Sequence, residues 1–202
     1  DAVRARCEAG PPRARLSFHL AVGTCLNWLG QPARAEQDLA PARQLAEGFG
    51  DHGSLVNITH QQQRAALLRG DAPAALAAAQ DCGQAVQAGG FGPSFRLHAW
   101  AAQALAALAA GQPGTALAAL QALEAAAAPT AGTALRSEPE VAAARALTWC
   151  ALGRPERAAQ DLPACEGWLA FAHWRLAATP AARTAALAAM ARGLPAADGV
   201  MG

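Results

Sequence analysis

The chain has 202 residues, enough for one or two domains with a sizeable core. Its formal charge is only +1 and all of its positive charge is Arg, so it lacks the clustered basic field of a nucleic-acid-binding surface. Apolar runs such as 104–110 fall far short of the roughly 20 residues of a membrane span, and scarce aromatic and β-branched residues argue against sheets.

Ala supplies 59 of the 202 residues, and Lys and Tyr are absent. A GC-rich genome explains that bias. Ala is also the strongest helix former, so a chain rich in Ala, Leu, Arg, Gln and Glu is expected to be mostly helical. Residues 1–12 hold no apolar stretch and no signal peptide. They are locally basic (Arg4, Arg6) and are expected to form a flexible arm. Because the chain opens on Asp1 rather than Met, a piece of a longer protein or a processed form is expected.

From there the punctuation predicts helices over 13–29, 32–47, 54–69, 73–88, 94–110, 114–127, 138–152 and 155–162. Four helices end on a glycine: "LNWLG" at Gly30, "ALLRG" at Gly70, "ALAAG" at Gly111 and "WCALG" at Gly153. Only Gly enters the left-handed conformation after a helix without a steric penalty. Pro32, Pro73, Pro113 and Pro155 follow, each suited to the first turn of a new helix. Ala35, Ala75, Ala116 and Ala158 stand five residues after the glycines, where a small side chain lets two helices approach closely. The glycines are 40 to 42 residues apart, a period typical of helical arrays. The first and last turns are nearly the same text, "LGQPARAEQDL" and "LGRPERAAQDL".

Between these units, Ser54, Ser94 and Ser137 are expected to cap the next helix, Ser137 forming a capping box with Glu140. After Pro163, two more helices over 164–178 and 180–193 are expected. Trp168, Phe171 and Trp174 would close the end of the array or bind a partner there. Residues 195–202 are expected to form a flexible tail.

These repeats resemble the tetratricopeptide family. Gly23, Ala104 and Ala146 match its small residue in the first helix, and Gln63 departs from it. The turn Gly70–Asp71 and the alanine five residues beyond each glycine also match. The long period resembles the repeats C-terminal to the ATPase core of large bacterial regulators of the maltose-activator type. The resemblance implies an all-α fold: a right-handed α-solenoid of about four to five stacked antiparallel helix hairpins over 13–194. It implies a cytoplasmic interaction or sensor module, with a protein, peptide or small effector as partner and no nucleic acid or membrane contact.

Sequence motifs for chemistry are missing. Without Lys there is no nucleotide-binding phosphate loop, and no metal-binding pair of the HExxH or CxxC type occurs. Cys165, Glu166 and His173 need a third group and a pocket to be a site. Five cysteines without close pairing read as buried, reduced thiols. No cofactor is expected. An enzyme of helical fold is the alternative, with no residues to support it.

In the resemblance, the first helix of each unit lines the concave face. That places Asn27 and Trp28 from the first unit, Asn57, His60 and Arg64 from the second, and His98 from the third in one groove. Asn57, His60 and Arg64 share a helical face by spacing, and such groups can hydrogen-bond an extended chain or clamp a carboxylate. The competing reading is a solvated polar face without a ligand.

Overall fold

A computed structural model describes residues 2–127 and 139–158. The chain is all-α, with no strand among the described residues. We number the helices α1 (Ala2–Glu8), α2 (Pro12–Trp28), α3 (Pro32–Phe49), α4 (His52–Arg69), α5 (Ala72–Ala88), α6 (Pro93–Ala109), α7 (Pro113–Ala127), α8 (Pro139–Ala151) and α9 (Pro155–Ala158). None is long and apolar enough to cross a membrane. The fold divides into two compact units, Asp1–Ala99 and the remainder from Trp100 onward.

Left-handed glycines set the helix ends. Gly30, Gly70, Gly111 and Gly153 have φ of +67°, +72°, +68° and +71°, as the turn pattern requires. Gly50 and Gly90, between the expected hairpins, do the same with +63° and +61°. All six turns share one hydrogen-bond plan. In the first, Gly30 N–H donates to Asn27 O (3.1 Å) and Gln31 N–H to Leu26 O (2.9 Å). Those bonds satisfy carbonyls that would otherwise be orphaned at the helix end.

The helix starts differ from expectation. Asp51 caps α4, accepting from Ser54 N–H at 3.0 Å, and the Ser54 hydroxyl donates back to the same carboxylate at 2.9 Å. Ser54 is therefore in the first turn, three residues after the cap. Ser94 likewise falls inside α6, which starts at Pro93. Ser137 and the segments 164–178, 180–193 and 195–202 lie outside the described residues. Asp71 caps α5 by accepting from Ala74 N–H at 3.1 Å.

In the first unit, α2 packs along α3, α4 along α5, and α3 along α4, while α2 also touches α4. The pairing of α2 and α3 is antiparallel. Leu26 meets Ala35 and Leu39 near the turn, and Leu16 meets Ala42 and Ala46 at the far end, where Ile58 of α4 joins them. Ala35, Ala75, Ala116 and Ala158 are all buried, at no more than 1% exposure. So are Ala104 and Ala146 in the preceding helices. Gln63, which stands at that small position in α4, is also fully buried. Val56, Cys82, Ala85, Val86 and Ala99 form a further core cluster. In the second unit Ala142, Ala143, Ala146 and Ala158 pack together, with Trp149 and Cys150 against them. Small side chains bury little area each, whereas the fully buried Leu39, Ile58, Leu97, Leu120 and Leu123 contribute about 1.5–3 kcal/mol apiece.

Residues 1–12, expected as a flexible arm, carry helix α1, and a side chain from it is anchored. Arg4 forms two hydrogen bonds of 2.9 Å to the carboxylate of Asp38 on α3. Among the cysteines described, only Cys82 is buried; Cys25 is exposed and Cys7 and Cys150 are half-buried. The expectation of buried thiols therefore holds for Cys82 and fails for Cys25, which lies on the exposed side of α2.

Candidate functional site

Helix α4 carries a strongly polar run, from Asn57 to Arg64. Asn57, His60 and Arg64 follow one another at spacings of three and four, one helical turn apart, and so project from one side. Asn57 is exposed, and its amide donates to Gly53 O of the preceding turn at 3.3 Å. His60 and Arg64 are half-buried. The His60 ring lies with its centroid 6.3 Å from that of His98 on α6, tilted by 40°. His98 is half-buried, and its Nδ1 is buried without a hydrogen-bond partner among the described residues. The structure thus brings His60 and His98 together.

Asn27 is placed otherwise than expected. It is fully buried, and its amide donates to the main-chain carbonyl of Gln61 (2.8 Å) and to Gln61 Oε1 (3.1 Å). It joins α2 to α4 and offers no surface to a ligand. The reason is local: α2 touches α4 on the side where helical counting had placed an open groove. Trp28, the next residue, is 48% exposed, beside Leu29 at 62%. The two form an apolar lip at the end of α2.

Two charge clusters were not foreseen. Asp38 has a side chain only 5% exposed, yet it takes two bonds from Arg4 and one from His19 Nδ1 at 2.9 Å. Burial pushes this carboxyl upward, but the hydrogen bonds from Arg4 and His19 outweigh burial and hold it below the ordinary value. Arg4 also lies over the Phe18 ring at 5.4 Å. With both carboxylate oxygens occupied, the cluster works as a clamp between α1, α2 and α3. The second cluster centres on Arg43, which bonds Glu47 at 2.8 Å, Asp81 at 2.7 Å and Gln62 at 3.3 Å, linking α3, α4 and α5. It lines a shallow cavity of about 210 Å³ with His52, Leu55 and Thr59. The bonds that join helices in these clusters, Arg4–Asp38, His19–Asp38, Arg43–Gln62 and Arg43–Asp81, link residues 19 to 38 apart and have no signature in sequence; Arg43–Glu47, four apart on α3, is the local pair.

Among the described residues no group of three or more His, Cys, Asp or Glu side chains could hold a metal ion. Cys165, Glu166 and His173 lie outside the described residues. No family model matches the chain, and no curated protein or solved structure matches it significantly.

Proposed function

We propose that the chain is a tetratricopeptide-like interaction module, a right-handed α-solenoid belonging to a cytoplasmic bacterial regulatory or signalling protein. Its role is recognition without catalysis. The observation that carries this reading is the repeated unit itself. Each helix hairpin is closed by a left-handed glycine and followed, five residues on, by a buried alanine. Repeats of this kind stack through their neighbours and leave the first helices side by side, which is how helical arrays build binding grooves.

The groove would be formed by α2, α4 and α6, and its polar contacts would come from Asn57, His60, Arg64 and His98, with Trp28 at its lip. Asn27 would support it from beneath by fixing α2 against Gln61. Arg64 brings a planar, permanently charged fork, suited to a carboxylate on a peptide or small effector. Losing a desolvated charge-assisted bond to it costs about 1.5–3 kcal/mol, or roughly 10- to 150-fold in affinity. The test is to isolate the ligand from the native host by pull-down and titrate it against the native chain and Arg64→Ala. A loss of at least tenfold, with the variant folded, supports this groove. Equal affinities place recognition elsewhere.

A further inference from the structure

We propose that the second unit holds a separate small-molecule site, a cavity that takes a compact apolar body carrying one carboxylate. The cavity has a volume of about 240 Å³ and is lined by Leu117 and Gln121 of α7, Trp149 of α8, Leu152 and Arg154 of the following turn, and Arg157 of α9. It gives room for roughly eight to ten non-hydrogen atoms. Among the described residues its apolar lining comes from Leu117, Trp149 and Leu152, and its charged lining residues are Arg154 and Arg157.

These two arginines are uncommitted. Arg157 lies over the Trp149 ring at 4.8 Å, which orients it at the cavity. Arg154 is held at the backbone, its N–H donating to Trp149 O at 2.8 Å. Among the described residues neither side chain is in an ion pair. Glu156, between them in sequence, is exposed and does not line the cavity.

The duplicated turn shows what is special here. Leu152, Gly153, Pro155, Arg157 and Ala158 repeat Leu29, Gly30, Pro32, Arg34 and Ala35. Two cavity residues differ: Trp149 replaces Leu26, and Arg154 replaces Gln31. In the first copy Arg34 donates to Gln31 Oε1 at 2.6 Å. With Arg154 in place of that glutamine, Arg157 loses the internal acceptor and a second positive charge joins it. An aromatic wall beneath the Arg157 guanidinium, with a second unpaired arginine lining the same cavity, matches an anion with an apolar body, since the ring contributes dispersion and a guanidinium fork two parallel hydrogen bonds.

The experiment uses the full chain and phenylacetate as probe. Binding is followed by the Trp149 indole N–H resonance, assigned by its loss in Trp149→Phe. The cation 2-phenylethylamine and the bodiless anion acetate are the controls. Phenylacetate is expected to saturate the shift with a dissociation constant on the order of 1 mM or tighter. Both controls should bind at least about tenfold more weakly. Arg154→Gln, which installs the residue of the first turn, and Arg157→Gln should each weaken phenylacetate about tenfold or more. Both positions are exposed, and unchanged circular dichroism establishes that the variants fold. Equal binding of phenylacetate and phenylethylamine, no saturation by phenylacetate, or an unchanged affinity in either variant overturns the proposal.

Discussion

A β-carbon on Gly23 would lie 2.7 Å from both Cγ and Cδ2 of Leu39, and 3.3 Å from the carbonyl oxygen of Ala35. Leu39 is fully buried and has little room to retreat. Gly23→Ala gains up to about 1 kcal/mol of helix propensity but overpacks this contact by about 1–3 kcal/mol. A net destabilisation is expected in urea unfolding. In a Leu39→Ala background the side-chain clash is gone and only the 3.3 Å approach to the Ala35 carbonyl remains, so the same Gly23→Ala change should be less destabilising by about 1 kcal/mol or more. An equal cost in both backgrounds would show that the close approach of α2 and α3 does not depend on this glycine.

Gly111 tests the turns separately from packing, because nothing lies within 4 Å of a β-carbon built there. Its φ of +68° is left-handed. Gly111→Val should destabilise by more than about 1 kcal/mol through backbone strain alone, whereas Gly111→Asn should cost a fraction of that. Thermal unfolding of the two variants gives the comparison. Equal melting temperatures would contradict the left-handed turn.

Asp51, not Ser54, is the cap of α4. Asp51→Ala should cost about 1 kcal/mol, with two hydrogen bonds lost. Ser54→Ala removes only one of them and should cost less than half as much. The reverse order in denaturant titrations would restore Ser54 as the cap.

Asp38 should govern part of the acid unfolding. Its folded pKa is lowered relative to an unfolded carboxyl of about 3.9. The stability it contributes is therefore complete above that unfolded value and is lost as pH falls through the folded one. At pH 7, Asp38→Asn should be less stable than the native chain by about 1–3 kcal/mol. As pH falls through the lowered folded value the two curves should converge. Asp51 is also lowered, chiefly by the Ser54 backbone hydrogen bond, so both proteins keep some acid sensitivity. A constant gap across the titration would mean the carboxylate charge is not what anchors Arg4.

How much of this was legible in sequence follows from how far apart the causes lie. The glycine turns were legible because a left-handed helix end is decided within a few residues, and Gly30, Gly70, Gly111 and Gly153 each carry both a stop and a start signal. Gly50 and Gly90 obey the same rule but sit in loops whose several glycines leave the choice open. Ser54 misled because "GDHGS" holds two capping residues three apart, and only geometry shows which one receives the N–H. Asn27 was placed on an open face because helical period tells which residues share a side, not which side a neighbouring helix covers. The Arg4–Asp38–His19 clamp joins three helices and leaves no local pattern. Of the candidate groove, the polar run of α4 was legible from spacing, while the approach of His60 and His98 was expected only through the family resemblance, which sets the first helices side by side.

Site-specific photo-crosslinking in the native host addresses the recognition face most directly. A crosslinking residue at Asn57, exposed on α4, is compared with one at Gln44, exposed on α3. If the face of α4 binds the partner or effector, Asn57 should yield a discrete adduct that Arg64→Ala reduces at least about tenfold, and Gln44 should yield none. An adduct at Gln44 with none at Asn57, or an Asn57 adduct indifferent to Arg64→Ala, would contradict recognition by this face.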